Sequence, residues 1–333
     1  MRRGLLILLL VLAALFLWPL TCPAPWVYRP GEGLTYESVG GAKWHQPNAP
    51  KQYQFAKAAF DKKQYGLAKK AARRVVKRWP LSDDAGSAQV LLARCYEATH
   101  WDERAFKEYQ QAVEKHPKLE NYDEIVRHQF AIANRFLGGQ WFKLWGVIPV
   151  IPFFSSMEKT VEMFTKIIRN GPYSEVAPQA QLNIGAAREK QRDYLMAVKA
   201  YEKAADLYHD QKVIASEALF RAGLAYKKEA QTAEYDQSAA GQAIGTFGDF
   251  ITLYPNDKRT RQAQDIIVGL KTEQARGALQ TARFYEKKRK WGGAMIYYNE
   301  ANSKDSNSKY GLEARQRLEV LKRHVPAKPP ASP

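Results

Sequence analysis

The sequence contains few cysteines and no cysteine cluster. Only Cys22 and Cys95 occur among the 333 residues, which excludes a disulfide framework and a cysteine-rich zinc module. Cys95 falls within an apolar helical stretch, Val90 to Tyr96. We therefore expect Cys95 to be a small buried residue and not a reactive thiol.

Catalytic signatures are lacking as well. The six histidines are scattered, and the run His128-Gln129-Phe130 lacks the glutamate of a zinc-protease helix. The sequence has no glycine-rich phosphate loop followed by Lys-Ser or Lys-Thr, and no Gly-x-Ser-x-Gly elbow. These absences predict a protein that catalyses nothing and holds neither a metal nor a cofactor.

The chain has one long apolar run, near its N-terminus. Met1-Arg2-Arg3 is followed by 14 apolar residues, Leu5 to Trp18, whereas a spanning helix needs about 20. Residues 1–24 are therefore predicted to be an export signal, with a short inner-membrane anchor as the alternative. Cys22 stands where a bacterial lipoprotein carries its lipid, but the preceding Pro19-Leu20-Thr21 departs from the usual Leu-Ala-Gly pattern. Lipidation of Cys22 is left open.

Two segments have the composition of connectors. Residues 25–50 are rich in proline and glycine and lack a helical period, which predicts a linker or extended arm. Residues 324–333 contain four prolines in ten positions and are predicted to be a loose tail.

Between these segments, residues 51–323 repeat a helical pattern. Apolar residues recur three and four positions apart, which is the period of an amphipathic helix. Six sets of residues mark small, large, apolar and stop positions, with identical offsets of 4, 3 and 5. The sets are Ala68, Ala72, Val75 and Pro80; Ala105, Tyr109, Ala112 and Pro117; Thr160, Phe164, Ile167 and Pro172; Ala197, Tyr201, Ala204 and His209; Ala243, Phe247, Phe250 and Pro255; and Ala294, Tyr298, Ala301 and Ser306.

A second series of pairs, three residues apart, marks the helix that precedes each set. The pairs are Ala56 and Ala59, Ala93 and Tyr96, Ala133 and Phe136, Gly185 and Arg188, Gly223 and Tyr226, and Ala282 and Tyr285. A small residue lets two helices approach closely, and an aromatic residue one turn away fills the angle between them. This pattern resembles the tetratricopeptide repeat. It predicts an all-α superhelical solenoid of about six helix pairs, with an ordinary helical bundle as the alternative.

First helices line the concave groove of such a superhelix, and the register assigns ten residues to it. They are Lys57, Phe60, Arg94, Arg127, Phe130, Lys190, Lys227, Arg276, Arg283 and Lys287. Any one of them would also suit an ordinary solvated helix face. Because most are basic and the whole chain carries a net charge of +17, we expect the groove to prefer an acidic or carboxylate-bearing ligand.

The third unit contains an apolar insertion, residues 138–154, between its helices. Its large side chains could form a docking surface for a membrane protein or for the bilayer interface. They could instead fold back and cap the solenoid core, which we favour because a large exposed apolar patch is rare. The residues concerned are Trp141, Phe142, Trp145, Phe153 and Phe154.

Several runs in the second half of the chain carry a more specific pattern. They are Gly171-Pro172-Tyr173-Ser174, Ala243 to Asn256, a long helix of about Gln262 to Lys288 that includes Ala282-Arg283-Phe284-Tyr285-Glu286-Lys287, and Gly292 to Glu300. Together they resemble the BamD family, also called the YfiO or ComL lipoproteins, over residues 171–323. The first two units form an additional segment that shorter members of that family lack.

This resemblance implies a periplasmic scaffold for outer-membrane β-barrel assembly. The C-terminal units would hold a BamA-like barrel insertase, and the N-terminal groove would receive segments of unfolded outer-membrane proteins. The chain would be attached through its N-terminus to the periplasmic face of the outer membrane, or alternatively to the inner membrane. A general adaptor in cell-envelope or division machinery is the second hypothesis. A basic nucleic-acid-binding protein is the third, and no specific nucleic acid is expected because no nucleic-acid module is visible.

Overall fold

The computed structural model describes residues 26–29, 33–36, 44–144, 148–149, 156–232 and 238–322. The predicted export signal, Cys22 and the proline-rich tail lie outside these residues, and their predictions stay untested. The chain divides into two compact units, Met1–Tyr122 and Asp123–Pro333.

The first unit contains a strand pair and two helix pairs. Strand β1 runs antiparallel to β2, with Trp26 opposite Tyr36, inside the segment that the sequence predicts only as a linker. Each helix packs on the next one along the chain, and α1 also packs on α3. The elements are β1 (Trp26–Arg29), β2 (Gly33–Tyr36), α1 (Ala49–Asp61), α2 (Tyr65–Arg78), α3 (Asp84–Ala98) and α4 (Asp102–Lys115).

The second unit continues the same pattern. The elements are α5 (Tyr122–Leu137), β3 (Lys143–Leu144), β4 (Ile148–Pro149), α6 (Ser156–Asn170), α7 (Ala177–Lys190), α8 (Tyr194–Leu207), α9 (Lys212–Thr232), α10 (Ser238–Leu253), α11 (Thr260–Lys287), α12 (Trp291–Lys304) and α13 (Lys309–Lys322). Helices α6 to α13 each pack on the next, and alternate helices also touch, α7 on α9 and α11 on α13. The predicted all-α repeat fold is confirmed, with six helix pairs and a final single helix among the described residues.

The buried positions of the second helices match the sequence pattern in every repeat. The small, large and apolar members of all six sets, three residues in each, are 0% exposed. In the fourth and fifth repeats the small residue of the first helix is a glycine. A Cβ atom at Gly185 would stand 2.4 Å from the ring of Tyr201, and one at Gly223 would stand 2.8 Å from the ring of Phe247. These glycines let each pair of helices approach.

The turn between the two helices of a pair recurs as well. Lys63, His100, Arg192 and Arg289 all have positive φ, between 57° and 62°. Each lies seven positions after the small residue of its first helix, in the four repeats that carry no insertion. A left-handed residue ends the first helix and reverses the chain within three residues. The four turns therefore share one backbone conformation, although none of them has glycine at the left-handed position.

Candidate functional site

A cleft in the first unit is formed by α1, α3 and the loop before α5. Its volume is about 490 Å³. It brings together three of the predicted groove residues, Lys57, Phe60 and Arg94. The other residues that line it are Tyr53, Asp61, Asp83, Ser87, Val90, Leu91, Lys118, Leu119, Glu120 and Asn121.

This cleft has a mixed electrostatic character. Its cations are Lys57, Arg94 and Lys118, and its carboxylates are Asp61, Asp83 and Glu120. Three charges of each sign balance, so net charge does not select an acidic ligand here, in contrast to the expectation for the groove as a whole. Tyrosine, phenylalanine and aliphatic side chains lie between the charges. A ligand that carries both charges and apolar side chains, such as an extended polypeptide, suits such a lining.

Two further lining residues, Tyr53 and Val90, were not predicted but could have been found from the repeat register. Tyr53, Lys57 and Phe60 are spaced by four and three residues and so share one face of α1. Shifting the first two by the repeat length of 37 residues leads to Val90 and Arg94 of α3, which also line the cleft. The loop residues 118–121 carry no such signal, because only the folded chain brings them beside the helices.

Arg127 of the second unit lines a smaller pocket of about 340 Å³. Asp123 and the turn from Gly171 to Val176 form the rest of its lining. Tyr173 in that turn is 100% exposed. Phe130, one turn after Arg127, makes an edge-to-face contact with the buried Phe164 at 6.0 Å between ring centroids. Phe130 therefore contributes to packing within its helix pair.

Two of the three predicted groove cations of α11, Arg276 and Arg283, make ion pairs within the chain. Nε of Arg276 donates to Oε2 of Glu273 at 2.7 Å, and Nε of Arg283 donates to Oε1 of Glu313 on α13 at 3.0 Å. These carboxylates raise the pKa of both guanidinium groups. Lys287 is exposed near the end of the same helix.

The two remaining predicted groove residues, Lys190 and Lys227, lie on α7 and α9. The Lys190 ammonium donates to the carbonyl oxygen of Leu137, and Lys227 is half-buried. The structure thus brings only Lys57, Phe60 and Arg94 into one cleft; the role of all ten residues in partner binding stays a prediction.

The apolar insertion is described in part. Phe142 is buried and stacks on Phe136, with 4.0 Å between ring centroids, and the Lys159 ammonium lies 4.9 Å from the Phe142 ring. This contact supports the packing interpretation for Phe142. Trp141 is 50% exposed, whereas Trp145, Phe153 and Phe154 lie outside the described residues.

A tyrosine–glutamate hydrogen bond recurs between the helices of three pairs. The hydroxyl of Tyr109 donates to Glu97 at 3.0 Å, that of Tyr201 to Glu189 at 2.6 Å and that of Tyr298 to Glu286 at 2.5 Å. The donor follows the acceptor by 12 residues each time. Burial, reinforced by the carboxylate, raises the pKa of Tyr298 to about 12 and also raises the pKa of Tyr201. The tyrosines are therefore neutral donors that join the helices.

Cys95 is a poor nucleophile in this fold. Its side chain is 0% exposed, and burial raises the pKa of its thiol to about 12. Within the described ranges, histidines, cysteines and carboxylates form no group of three or more that could hold a metal ion. In the same ranges, no helix combines the length and apolar character needed to cross a bilayer.

The helix packing defines a tetratricopeptide-type repeat protein. Residues 154–303, a little under half of the chain, match the sequence model of the YfiO family, described as outer membrane lipoprotein. This match confirms the resemblance seen in the sequence, although it begins before residue 171 and ends before residue 323. A search of curated proteins gave no match.

Solved structures similar to this chain include several repeat proteins. The C-terminal part of a TPR repeat-containing protein from Cytophaga hutchinsonii is 13% identical, with 80% of this chain and 87% of that chain covered and a TM-score of 0.38. A tetratricopeptide repeat protein from Parabacteroides merdae is 12% identical over 82% and 98%, with a TM-score of 0.33. PilF of Pseudomonas aeruginosa is 13% identical over 81% and 97%, with a TM-score of 0.29. The family match, and not these structures, supports a protein-binding scaffold of the tetratricopeptide type.

Proposed function

We propose that this protein is a non-catalytic scaffold for the assembly of outer-membrane β-barrel proteins, at the periplasmic face of the outer membrane. The observation that carries the proposal is the YfiO match over residues 154–303. That range covers α6 to α12 of the second unit. These C-terminal repeats would hold a BamA-like barrel insertase.

The cleft of the first unit would receive segments of unfolded outer-membrane proteins. Its balanced charges and its apolar residues support this assignment, because an unfolded barrel strand alternates apolar and polar side chains. Such a segment is extended, so its apolar side chains can reach Phe60 and Leu91 while its polar groups meet Lys57 and Arg94. The N-terminal segment would attach the scaffold to the membrane.

The test is to recover the full-length chain from crosslinked, detergent-solubilised envelopes and to identify its partners by mass spectrometry. We expect a barrel insertase as the main partner. A photo-crosslinking residue placed at an exposed position locates the insertase on the chain. At Lys287 of α11 it should label the insertase, and at Lys51 of α1 it should not. Deleting α13 would be a poorer test, because it would expose the buried residues Ala278 and Leu279. Recovery of only division proteins or cytosolic proteins would contradict the proposal, and division proteins would favour the general adaptor.

A further inference from the structure

The turn between α11 and α12 carries the longest uninterrupted run of basic residues in the sequence. We call this run the basic tip, and its members are Lys287, Lys288, Arg289 and Lys290. All four are exposed, and among the described residues no carboxylate pairs with their side chains. Glu286, which precedes the run, is instead engaged by the Tyr298 hydroxyl and by Arg317. The fold therefore leaves the charge of the basic tip unneutralised.

The turn itself does not require these charges. The same backbone turn occurs in three other repeats, where the left-handed residue and the residue after it also donate to carbonyl oxygens of the first helix. In the fourth repeat the residue after it is Asp193, whose carboxylate accepts from the backbone amide of Met196 at 3.2 Å and caps α8. The equivalent residue before α12 is Lys290, and its side chain makes no cap hydrogen bond.

Lys290 is unfavourable for the start of α12. A lysine cannot accept a hydrogen bond from the free amides of a first helical turn, and its charge lies at the positive end of the helix dipole. The first turn of α12 contains no acidic residue that would offset this charge. A residue that breaks a local rule without a compensating contact indicates a functional position. An anionic partner outside the chain would account for it.

An exposed aromatic ring lies beside the basic tip. Phe284 is 58% exposed, and the Lys288 ammonium, one turn later, lies 5.9 Å from its ring centroid. These two residues share one face of α11, whereas Arg283 and Lys287 share a face about 100° away. The face with Phe284 is therefore separate from the groove side, on which the insertase would be held.

The combination of cations and an exposed ring favours a lipid surface as the ligand. The tip of a helix pair is convex, so it can touch a flat surface but cannot enclose a ligand. Clustered lysines and arginines attract anionic headgroups, and an aromatic side chain beside them can enter the interfacial region. The match to a family of outer membrane lipoproteins supports a location beside a membrane.

We propose that the basic tip, together with Phe284, binds the surface of a membrane that contains anionic phospholipids. Lys288, Arg289 and Lys290 contact the headgroup phosphates, and Phe284 enters the interface. This contact goes beyond the proposed scaffold function. Its test uses lipids alone, so its failure would leave the proposed protein partners unaffected.

The experiment measures binding of the full-length protein to vesicles of phosphatidylcholine, with or without phosphatidylglycerol at about 30%. The ratio of the two partition coefficients cancels the apolar contribution of the N-terminal run, which both kinds of vesicle share. Each cation near an anionic surface contributes about fivefold, so the three contacting cations should raise this ratio about 100-fold at about 0.1 M salt. The increase should largely disappear at about 0.5 M salt. A ratio near one at low salt would overturn the proposal.

Two variants with the same change in charge locate the surface. Lys288→Gln with Lys290→Asp should lower the ratio at least about 25-fold, because it removes two of the contacting cations. Aspartate also supplies the missing cap of α12, so thermal unfolding should show no loss of stability. Lys199→Gln with Lys203→Asp, at exposed positions of α8, should lower the ratio less than about threefold. Equal losses would assign the attraction to overall charge and overturn the proposal.

Phe284→Ser tests whether the ring enters the interface. It should weaken binding to the phosphatidylglycerol vesicles about fivefold, because it removes apolar area that the membrane would bury, and should leave the salt dependence unchanged. Leu253→Ser removes a side chain of similar exposure, 63%, from α10 and should leave binding unchanged. Weaker binding in both variants, or in neither, would overturn the insertion of Phe284.

The same variants distinguish other anionic ligands. A DNA duplex of about 30 base pairs and poly-glutamate serve as the competing ligands. Binding of either one that Lys288→Gln with Lys290→Asp abolishes, together with no binding to phosphatidylglycerol vesicles, would make that class the ligand and overturn the proposal.

Discussion

The first and the last repeat place a cation at the same register position but leave it in different surroundings. Lys57 follows the small residue Ala56 and lines the cleft of the first unit. Arg283 follows the small residue Ala282 and pairs with Glu313 on the final helix. The repeat register therefore predicts where a side chain lies, whereas the following helix decides whether that side chain is available to a ligand.

The largest effect on stability is expected from a substitution at a buried small residue of the repeat. Gly185→Ala places a Cβ atom 2.4 Å from the Tyr201 ring, and that ring is fully buried and cannot move away. We expect a loss of about 3 kcal/mol in the free energy of unfolding of the second unit, at the upper end for overpacking. Urea unfolding followed by circular dichroism measures it.

The matched control for this prediction is Gly245→Ala in α10. Gly245 is exposed, and no atom lies within 4 Å of its added Cβ. This substitution should stabilise the helix by about 0.5–1 kcal/mol, because alanine has the higher helix propensity. Equal destabilisation by both variants would show that close helix approach is not what Gly185 provides.

The second prediction compares the cations of the cleft with the cations of α11. Lys57→Glu with Arg94→Glu should weaken binding of a 15-residue peptide from the C-terminal strand of an outer-membrane barrel protein about tenfold or more. Arg283→Glu with Arg276→Glu should leave that affinity within about twofold, because these residues are engaged with Glu313 and Glu273. Fluorescence anisotropy of the labelled peptide measures both. A larger loss in the second pair would move the peptide site to the second unit.

The fold could be predicted from the sequence because its signals are periodic and buried. Small and aromatic residues at offsets of 4 and 3 specify the contacts within a helix pair, and all of those positions are buried. The recurrent Tyr–Glu hydrogen bond was not predicted, although its constant spacing of 12 residues is visible in the sequence. A polar pair gives no signal in an analysis based on apolar periodicity.

The candidate site could be predicted only in part. Lys57, Phe60 and Arg94 follow from the register, but Asp61, Asp83 and Glu120 do not, and these three balance the charge of the cleft. Whether a cation is paired depends on a helix that lies 30 residues later, as for Arg283 and Glu313. No local pattern contains that information.

The third prediction uses one hydrogen bond that occurs in both units. Tyr109→Phe and Tyr201→Phe each remove a hydroxyl that donates to a glutamate. We expect each variant to lose about 1 kcal/mol of unfolding free energy. Urea unfolding measures both losses, and no loss in either variant would contradict a stabilising role for this hydrogen bond.

The smallest effect is expected from acid, and it concerns the second unit. Hydrogen bonds from Arg259 lower the pKa of Asp257 to about 2, against an ordinary value of 3.8. A lowered folded-state pKa means that this stabilisation is fully present above about pH 4 and is lost as the pH falls towards 2. After solvent screening it amounts to about 1 kcal/mol. Urea unfolding at pH 5.0 and pH 2.5 should show that Asp257→Asn loses less stability on acidification than the unsubstituted protein. The control is Asp206→Asn, at an exposed position of α8. This variant should lose as much stability between pH 5.0 and pH 2.5 as the unsubstituted protein does. An equal response of the two variants would show that Asp257 is not a source of the acid sensitivity.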